Sequence, residues 1–595
     1  MADGVRDTPT GPVPREPERD DGHGMRQLES SRVLVAAARW LGLVVAAAVI
    51  CLPWAAEQAV EHASFDDRLG TLPVRVGLAH NGHTTLDTGL LGKVYWRHTG
   101  PAGFGAELRS TGPPIAGGTL ASYVSPAFVR ANTQFVDNLD QVAAAYGAEL
   151  RGQLVRGTLV RAGVAGLLAG SVLTAAWPLV ARRSRRARIV AVVSVAVAGG
   201  VVSVGYATTE LAAWEERHAV GETYPLTGRP EVSFSSPQTR EIAEQIQPFI
   251  EKNAARIKER SAAYEEAARA SVAAELATRA RGLQPREGEV VVLAEADPQG
   301  SLVGTRVRRD LYAALAGVLP DGSVVLRTIA GDVTSNGTLA EGEFVQGEAA
   351  VSPDVPVVAA KGDHDTDVTV DQLLDAGVAV PDTEVVEAGG LRVASGRDPA
   401  FKALFGGLVV NESGVTEEEL GQALREEVDA AQADLADDVP TGLAVVLHQP
   451  RAAEGYLGVD LDDLEEAETS LTTPVEDGIP DLPPGTVTYG HLHDADGPWV
   501  IWNTDGDEVT WTVVTQLGTA GGVEENPTFN RFSTPFSVPL KTVGVQLQYV
   551  DRATGLQTGL VPITFDTEGL ATIGDRVDVG LPVAPPISTA TPSDP

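Results

Sequence analysis

Three long apolar runs interrupt an otherwise mixed pattern: Val33–Ala56, Ala162–Ala181 and Ile189–Thr208. Each approaches the ~20 residues that a helix needs to cross the hydrocarbon layer. Transmembrane helices are therefore predicted over 31–56, 158–181 and 189–208. The first run reads as an anchor rather than a cleaved signal, because its polar N-terminal flank is long and its apolar stretch exceeds a signal's core. Arg39 inside it snorkels, or the span begins near Trp40. Gly166 and Gly170 have the spacing of a helix-packing motif, or they reflect a glycine-rich composition.

Outside these runs the period changes. Residues 1–30 and 578–595 show no apolar period and read as disordered tails. Residues 57–157 mix strand-like pieces with Gly/Pro turns and end in a helical stretch, as in a small α+β insert. Over 209–285, Ile242, Ile246, Phe249, Ile250 and Ile257 share one helical face behind a cap at Ser235 or Ser236. This is the pattern of a helical spacer between the membrane and the rest, able to pack on the insert. From Glu289 onwards, short apolar runs alternate with amphipathic helices, which predicts an α/β domain over 286–577. Beyond Trp499 strands dominate, with Asn503–Glu508 as a hairpin turn.

Composition narrows the class. A formal net charge of −36 repels phosphate backbones and disfavours broad nucleic-acid binding. The single cysteine, Cys51, excludes an intrachain disulfide and a cysteine-based zinc site. Five arginines in the short connection 182–188 mark the cytoplasmic side of the second and third spans. The N-terminus is then expected inside the cell. The 57–157 insert and everything after the third span are expected outside, with the lipid bilayer as partner.

Polar, metal-competent residues follow the predicted strands in turn. They are Glu295 and Asp297, Gly331-Asp332, Gly362-Asp363-His364-Asp365, His448, and Gly490-His491-Leu492-His493. In α/β sheets ligands sit at the carboxyl ends of strands, so these positions converge on one rim. Each has a plainer reading: His448 as a satisfied core histidine, and Asp332, Glu295 and Asp297 as strand-end turn residues. The acidic run Asp460–Glu468 reads as solvated surface or a weak Ca²⁺ site. The triplets at Asn336 and Asn411 fit the glycosylation pattern, one that chance also produces, and His80, His83 and His98 lack metal spacing.

The order "GDVTSNG", "GDHD", "LHQP", "GHLH", each after a predicted strand, resembles the calcineurin-like metallophosphoesterase superfamily, in its membrane-anchored actinobacterial form. The resemblance covers Glu289 to Val577 and includes "GTAGG" and "NRFSTPFS" further on. It implies an α/β fold, a four-layer metallophosphoesterase-type sandwich with mixed β-sheets, here preceded by three transmembrane helices. It implies a hydrolase that splits a phosphomono- or diester with a water activated by two divalent metal ions. Asp332 would bridge the ions, His448 and His491 would hold the second and His493 the first. Glu295, Asp297 and Asp363 stand at further ligand positions. His364 would face the leaving-group oxygen, with Asp365 orienting its ring. The family carries Asp, His and Asn where this chain has Glu295, Asp297 and Asp363. Oxygen-rich ligands favour Mn²⁺ or Mg²⁺ over Zn²⁺, with iron admissible. The same changes motivate the alternative, a catalytically impaired pseudoenzyme with a structural or ligand-sensing role in the cell envelope.

Overall fold

The computed structural model describes residues 23–69, 72–87, 92–97, 103–111, 139–402, 409–411, 413–436, 439–466, 470–475, 479, 481–504, 509–522, 539 and 541–581. The expected tails over 1–22 and 582–595, the turn 505–508, the "NRFSTPFS" segment and His98 lie outside these. The chain divides into two compact units. One holds residues 1–63 and 151–219, the other 64–150 and 220–595.

The first unit consists of helices long and apolar enough to cross a membrane, as its sequence dictates. Helix α1 (His23–His62) already begins within the stretch expected to be disordered. Helix α2 (Leu139–Ala181) runs into this unit from the other, and α3 (Arg185–Arg217) starts behind an N-cap from Ser184. The packing settles the role of the glycine pair. A Cβ at Gly166 would lie 2.6 Å from the Ala48 Cβ, and one at Gly170 the same distance from the Val44 Cα. The small residues thus let α2 approach α1 closely. Trp40 Nε1 donates to Ser171 Oγ at 3.2 Å, and the Arg39 guanidinium lies 5.4 Å from the centre of the Trp177 ring.

In the second unit, the insert forms strands β1 (Ser64–Leu69), β2 (Leu72–Ala79), β3 (Thr84–Asp87), β4 (Lys93–Trp96) and β5 (Gly105–Ser110). Its mixed sheet is completed by β6 (Tyr224–Leu226) and β7 (Arg229–Phe234), in the order β1-β2-β5-β3-β4-β7-β6. The segment expected to be a helical spacer therefore contributes two strands to this sheet before its helix begins. The helix itself, α4 (Pro237–Arg279), is capped by Ser236 with proline in its first turn. Its distal half is no free spacer, because Tyr264, Ala268, Val272 and Leu276 are buried in the main core.

That core lies in and around two further mixed sheets. Their strands in chain order are β8 (Glu289–Glu295), β9 (Val324–Ile329), β10 (Val357–Ala359), β11 (Glu384–Ala388), β12 (Leu391–Ser395), the small pair β13 (Phe401–Lys402) and β14 (Val409–Val410), β15 (Leu443–Val446), β16 (Gly485–Tyr489), β17 (Asp496–Asn503), β18 (Thr510–Gln516), β19 (Val543–Asp551), β20 (Gln557–Phe565), β21 (Ala571–Ile573) and β22 (Val577–Asp578). One sheet runs β10-β9-β8-β19-β20-β21, with β22 on β20, and the other β11-β12-β15-β16-β18-β17. The strand "EVVVLAE" is buried at every position, as both faces of its sheet are covered. Val290, Val292 and Ala294 face Val393 and Val446 of the other sheet. Val291 and Leu293 pack outward on α4 and on α5 (Leu302–Ala316). The second sheet is covered on its outer face by the helices Glu417–Ala433 and Pro450–Leu457. The acidic run after Asp460 begins with a short helix held by buried Leu461 and Leu464, its carboxylates exposed.

Candidate metal centre

Parallel strands β8, β9 and β10 of one sheet and β15 and β16 of the other end on a common rim. Two overlapping clusters form there. In one, single ligand atoms of Asp332, Asp363, His448 and His491 all lie within 4.8 Å of one another; in the other, those of Asp297, Asp332 and His493 do. Asp332 belongs to both. His448 Nε2 is 3.3 Å from an oxygen of Asp332 and 3.3 Å from one of Asp363, and His491 Nδ1 is 3.2 Å from the same Nε2. His493 Nε2 is 3.7 Å from Asp297 Oδ1. The Ala330 carbonyl accepts from His448 Nδ1 at 3.0 Å, which fixes the tautomer that aims Nε2 at the carboxylates.

The glycines of these motifs have a local cause. A Cβ on Gly331 would lie 2.5 Å from the His448 ring, and one on Gly362 would lie 2.1 Å from Asp332 Oδ1. Each glycine leaves the gap that a side chain from another strand end occupies. Backbone strain collects in the same place. Among the described residues, Asp297, Gln299, Asp332, His491 and His493 are non-glycine residues with positive φ, joined elsewhere only by Thr383 and Asp481. Such conformations persist where the surroundings over-determine them, and they gather at functional sites.

The electrostatics are those of a buried acid–histidine cluster that holds protons. Burial pushes the Asp297 carboxyl well above its ordinary value. Burial alone would lower His448, but the carboxylates of Asp332, Asp363 and Asp297 raise it well above the usual imidazole range. Burial would likewise raise Asp363, yet its hydrogen bond to His448 and the nearby histidines depress it strongly. In this arrangement the His448 proton offsets the negative charge of Asp363.

Two expectations are corrected. Glu295 is not in either cluster. Its carboxylate accepts from Arg308 at 2.9 Å and from Tyr312 at 2.8 Å, and is also bonded to Arg327. Together with Glu348 it forms a buried quartet of two acids and two guanidiniums. The strand ends at Glu295 and the chain turns at Asp297 (φ 52), so the two side chains diverge instead of sharing one face. Asp297, and not Glu295, is therefore the acid that follows β8 into this cluster. Asp365 does not orient the His364 ring. It accepts from the backbone N–H groups of Val333, Thr334 and Gly362 and from the Thr334 hydroxyl, clamping the turn after Asp332. His364 donates its backbone N–H to Asp332 Oδ1 at 2.8 Å, and its ring nitrogens have no hydrogen-bond partner among the described residues.

Two residues at the rim were not anticipated. Gln299 is fully buried and its Nε2 donates to Asp332 Oδ2 at 3.1 Å. Asp398 is buried after β12, with one oxygen accepting from the Ala400 N–H and the other without a partner among the described residues. Burial, and to a lesser degree Asp363, pushes its carboxyl up to about 7, against the opposing pull of His448. Neither lies in a recognisable motif, though Gln299 follows Asp297 by two positions at a strand end. No protein-family model matches this chain, and no curated protein matches it.

The donor set suits hard to borderline divalent cations: carboxylate oxygens and imidazole nitrogens, buried, with one carboxylate shared by two groups.

Proposed function

We propose that the chain is a membrane-anchored, metal-dependent phosphoesterase with a calcineurin-like fold, hydrolysing a phosphomono- or diester outside the cytoplasm. The observation that carries this reading is the position of Asp332 as the common member of two adjacent ligand groups, Asp297/Asp332/His493 and Asp332/Asp363/His448/His491. The helix–sheet–sheet–helix packing and the motif order support the family. The five arginines of the 182–188 connection support the sidedness. Divalent cations held by these groups would acidify a water for attack on phosphorus and neutralise the phosphoryl oxygens.

The chain's own groups then have separable tasks. Asp332 is held by the His364 N–H and by Gln299, so its oxygens are fixed before any ligand arrives. His448 is held in one tautomer by Ala330, and Asp365 keeps the turn after Asp332 in place. The His364 ring, with Nε2 3.8 Å from Asp332 Oδ2 and no competing hydrogen bond, is the group able to give a proton to the departing alkoxide.

The test is hydrolysis of an aryl phosphodiester by the full chain in detergent, for wild type and His364→Ala. Turnover that needs added Mn²⁺ and falls in the variant supports the reading. Absence of turnover with every divalent ion would favour the ligand-sensing pseudoenzyme.

A further inference from the structure

We infer that the insert is a positioning element of the metal centre: its apolar core seats Leu339 and Ala340, and so holds in place the loop that fixes Asp332. The inference rests on the metal-dependent reading above and goes beyond it. It gives the insert a task in that site and makes Tyr146 and Leu339 positioning residues that act through Asp332.

The loop from Val333 to Glu341 is tied to the site along its whole length. At its start the Gln299 N–H donates to the Asp332 carbonyl at 2.8 Å, and the Gly300 N–H to the Val333 carbonyl at 3.0 Å. Ser335 Oγ donates to the Gln299 carbonyl at 2.6 Å. Thr334 gives both its N–H and its hydroxyl to Asp365 at 2.8 Å, and the Thr366 hydroxyl donates to the Gly337 carbonyl at 2.6 Å. The loop thus joins the strand end that carries Asp332 to the one that carries Asp363 and His364. Its far end is gathered by one carboxylate. Glu341 accepts from the N–H groups of Ser335 at 2.8 Å, Asn336 at 3.3 Å and Thr338 at 2.9 Å, and from the Thr338 hydroxyl at 3.0 Å. The turn beside Asp332 is therefore coupled to the short helix Leu339–Glu341.

That short helix rests on the insert. Leu339 and Ala340 are half-buried and pack against the core that Val74, Val76, Leu108 and Tyr146 help to form. Tyr146, on α2, is 2% exposed, and its ring meets Phe65 edge-on with 5.6 Å between centroids. The carboxylates of Asp67 and Glu341 both bear on its hydroxyl, so Tyr146 faces the insert's sheet and the acid that gathers the loop. From the other side Gln372, on the helix Asp367–Asp375, donates its Nε2 to the Leu339 carbonyl at 3.2 Å. Without the insert Leu339 and Ala340 would face water, and the Gln372 bond, worth little net against water, would hold the short helix from one side only. An insert kept only as a spacer needs no contact with a loop whose other end is Asp332.

The experiment is amide hydrogen exchange of residues 333–341, read by mass spectrometry, beside Mn²⁺ binding by equilibrium dialysis. It uses the full chain in detergent: wild type, Tyr146→Ala, Leu339→Ala, Leu339→Met and Val272→Ala. The Ser335, Asn336 and Thr338 amides are hydrogen-bonded to Glu341, so their exchange reports opening of the loop. Val272 lies in the core under α4 and controls for a general loss of stability. Leu339 is half-buried, so its truncation spares the fold even where that of Tyr146 does not. Tyr146→Ala and Leu339→Ala should speed loop exchange in the metal-free protein and weaken Mn²⁺ binding by about tenfold or more. Leu339→Met should refill the contact and restore both, and Val272→Ala should change neither. Wild-type exchange and affinity in the two truncations would overturn the inference. So would faster exchange at unchanged Mn²⁺ affinity, which would leave the insert only a cover, or equal effects in Val272→Ala. A wild-type chain that binds no Mn²⁺ would instead remove the phosphoesterase reading on which the inference rests.

Discussion

Asp332 Oδ1 accepts a 2.8 Å hydrogen bond from the backbone N–H of His364, so the shared carboxylate also fixes the loop that carries the imidazole. Asp332→Asn keeps an oxygen for that bond and removes the charge. The variant should melt close to wild type yet lose most divalent-ion uptake, as measured by equilibrium dialysis beside a thermal scan. Asp332→Ala should lose both ion uptake and loop order.

His364 belongs to neither ligand group. His364→Ala is therefore expected to keep the wild-type ion content and to lower kcat by roughly 10²–10⁴-fold, the usual contribution of a positioned proton donor. Metal analysis and steady-state kinetics on one preparation check this. A parallel loss of ions would make His364 a ligand instead.

The Glu295–Arg308–Glu348–Arg327 quartet is fully buried, so removing one member strands its partners. Burial alone would raise Glu348, but Arg308 and Arg327 hold its carboxyl down at about 2. Arg308→Met should cost roughly 3–5 kcal/mol. Glu295→Gln should destabilise as well while leaving the ion count of the folded fraction intact. Denaturant titration with metal analysis separates this from a ligand role for Glu295.

Much of the centre was legible because glycine, aspartate and histidine recur at the ends of apolar runs. Asp332, Asp363, His448, His491 and His493 stand together for that reason. Glu295 and Gln299 were not legible. Which of Glu295 and Asp297 faces the rim depends on a left-handed turn at Asp297 that no local pattern announces, and a lone glutamine carries no motif. Asp365 reads from the sequence as the residue that orients the His364 ring, and the backbone donors of the neighbouring loop claim its carboxylate instead. The pairing of β7 with β4 joins residues more than a hundred positions apart, which periodicity cannot encode.

Helix α4 is part of the core through Tyr264, Ala268, Val272 and Leu276. A chain beginning at residue 286 removes this face and exposes the apolar surface of α5 and β21 beneath it. It is expected to aggregate or to show no cooperative unfolding, whereas the full chain unfolds cooperatively. A soluble, cooperatively folded 286–595 fragment would show that α4 is dispensable.

Asp398 is held up to about 7 by burial against an ordinary 3.8, and burial raises Asp297 in the same sense. An acid with a raised folded pKa binds more protons when folded than when unfolded. Its contribution to stability is full below about pH 4 and is lost as the pH rises through about 7. Without metal the protein should lose stability from Asp398 across that window. Asp297 and His448 must also release protons to bind a cation, so apparent Mn²⁺ affinity should rise with pH. Thermal scans and titrations at several pH values test both slopes.

The most direct measurement is Mn²⁺-dependent hydrolysis of an aryl phosphodiester by the full-length chain in detergent, wild type beside Asp332→Asn. The account predicts turnover by wild type that vanishes with chelator and returns with Mn²⁺, and a folded variant with less than about a hundredth of that rate. Equal turnover by the two proteins, or none by either with any divalent ion, would contradict it.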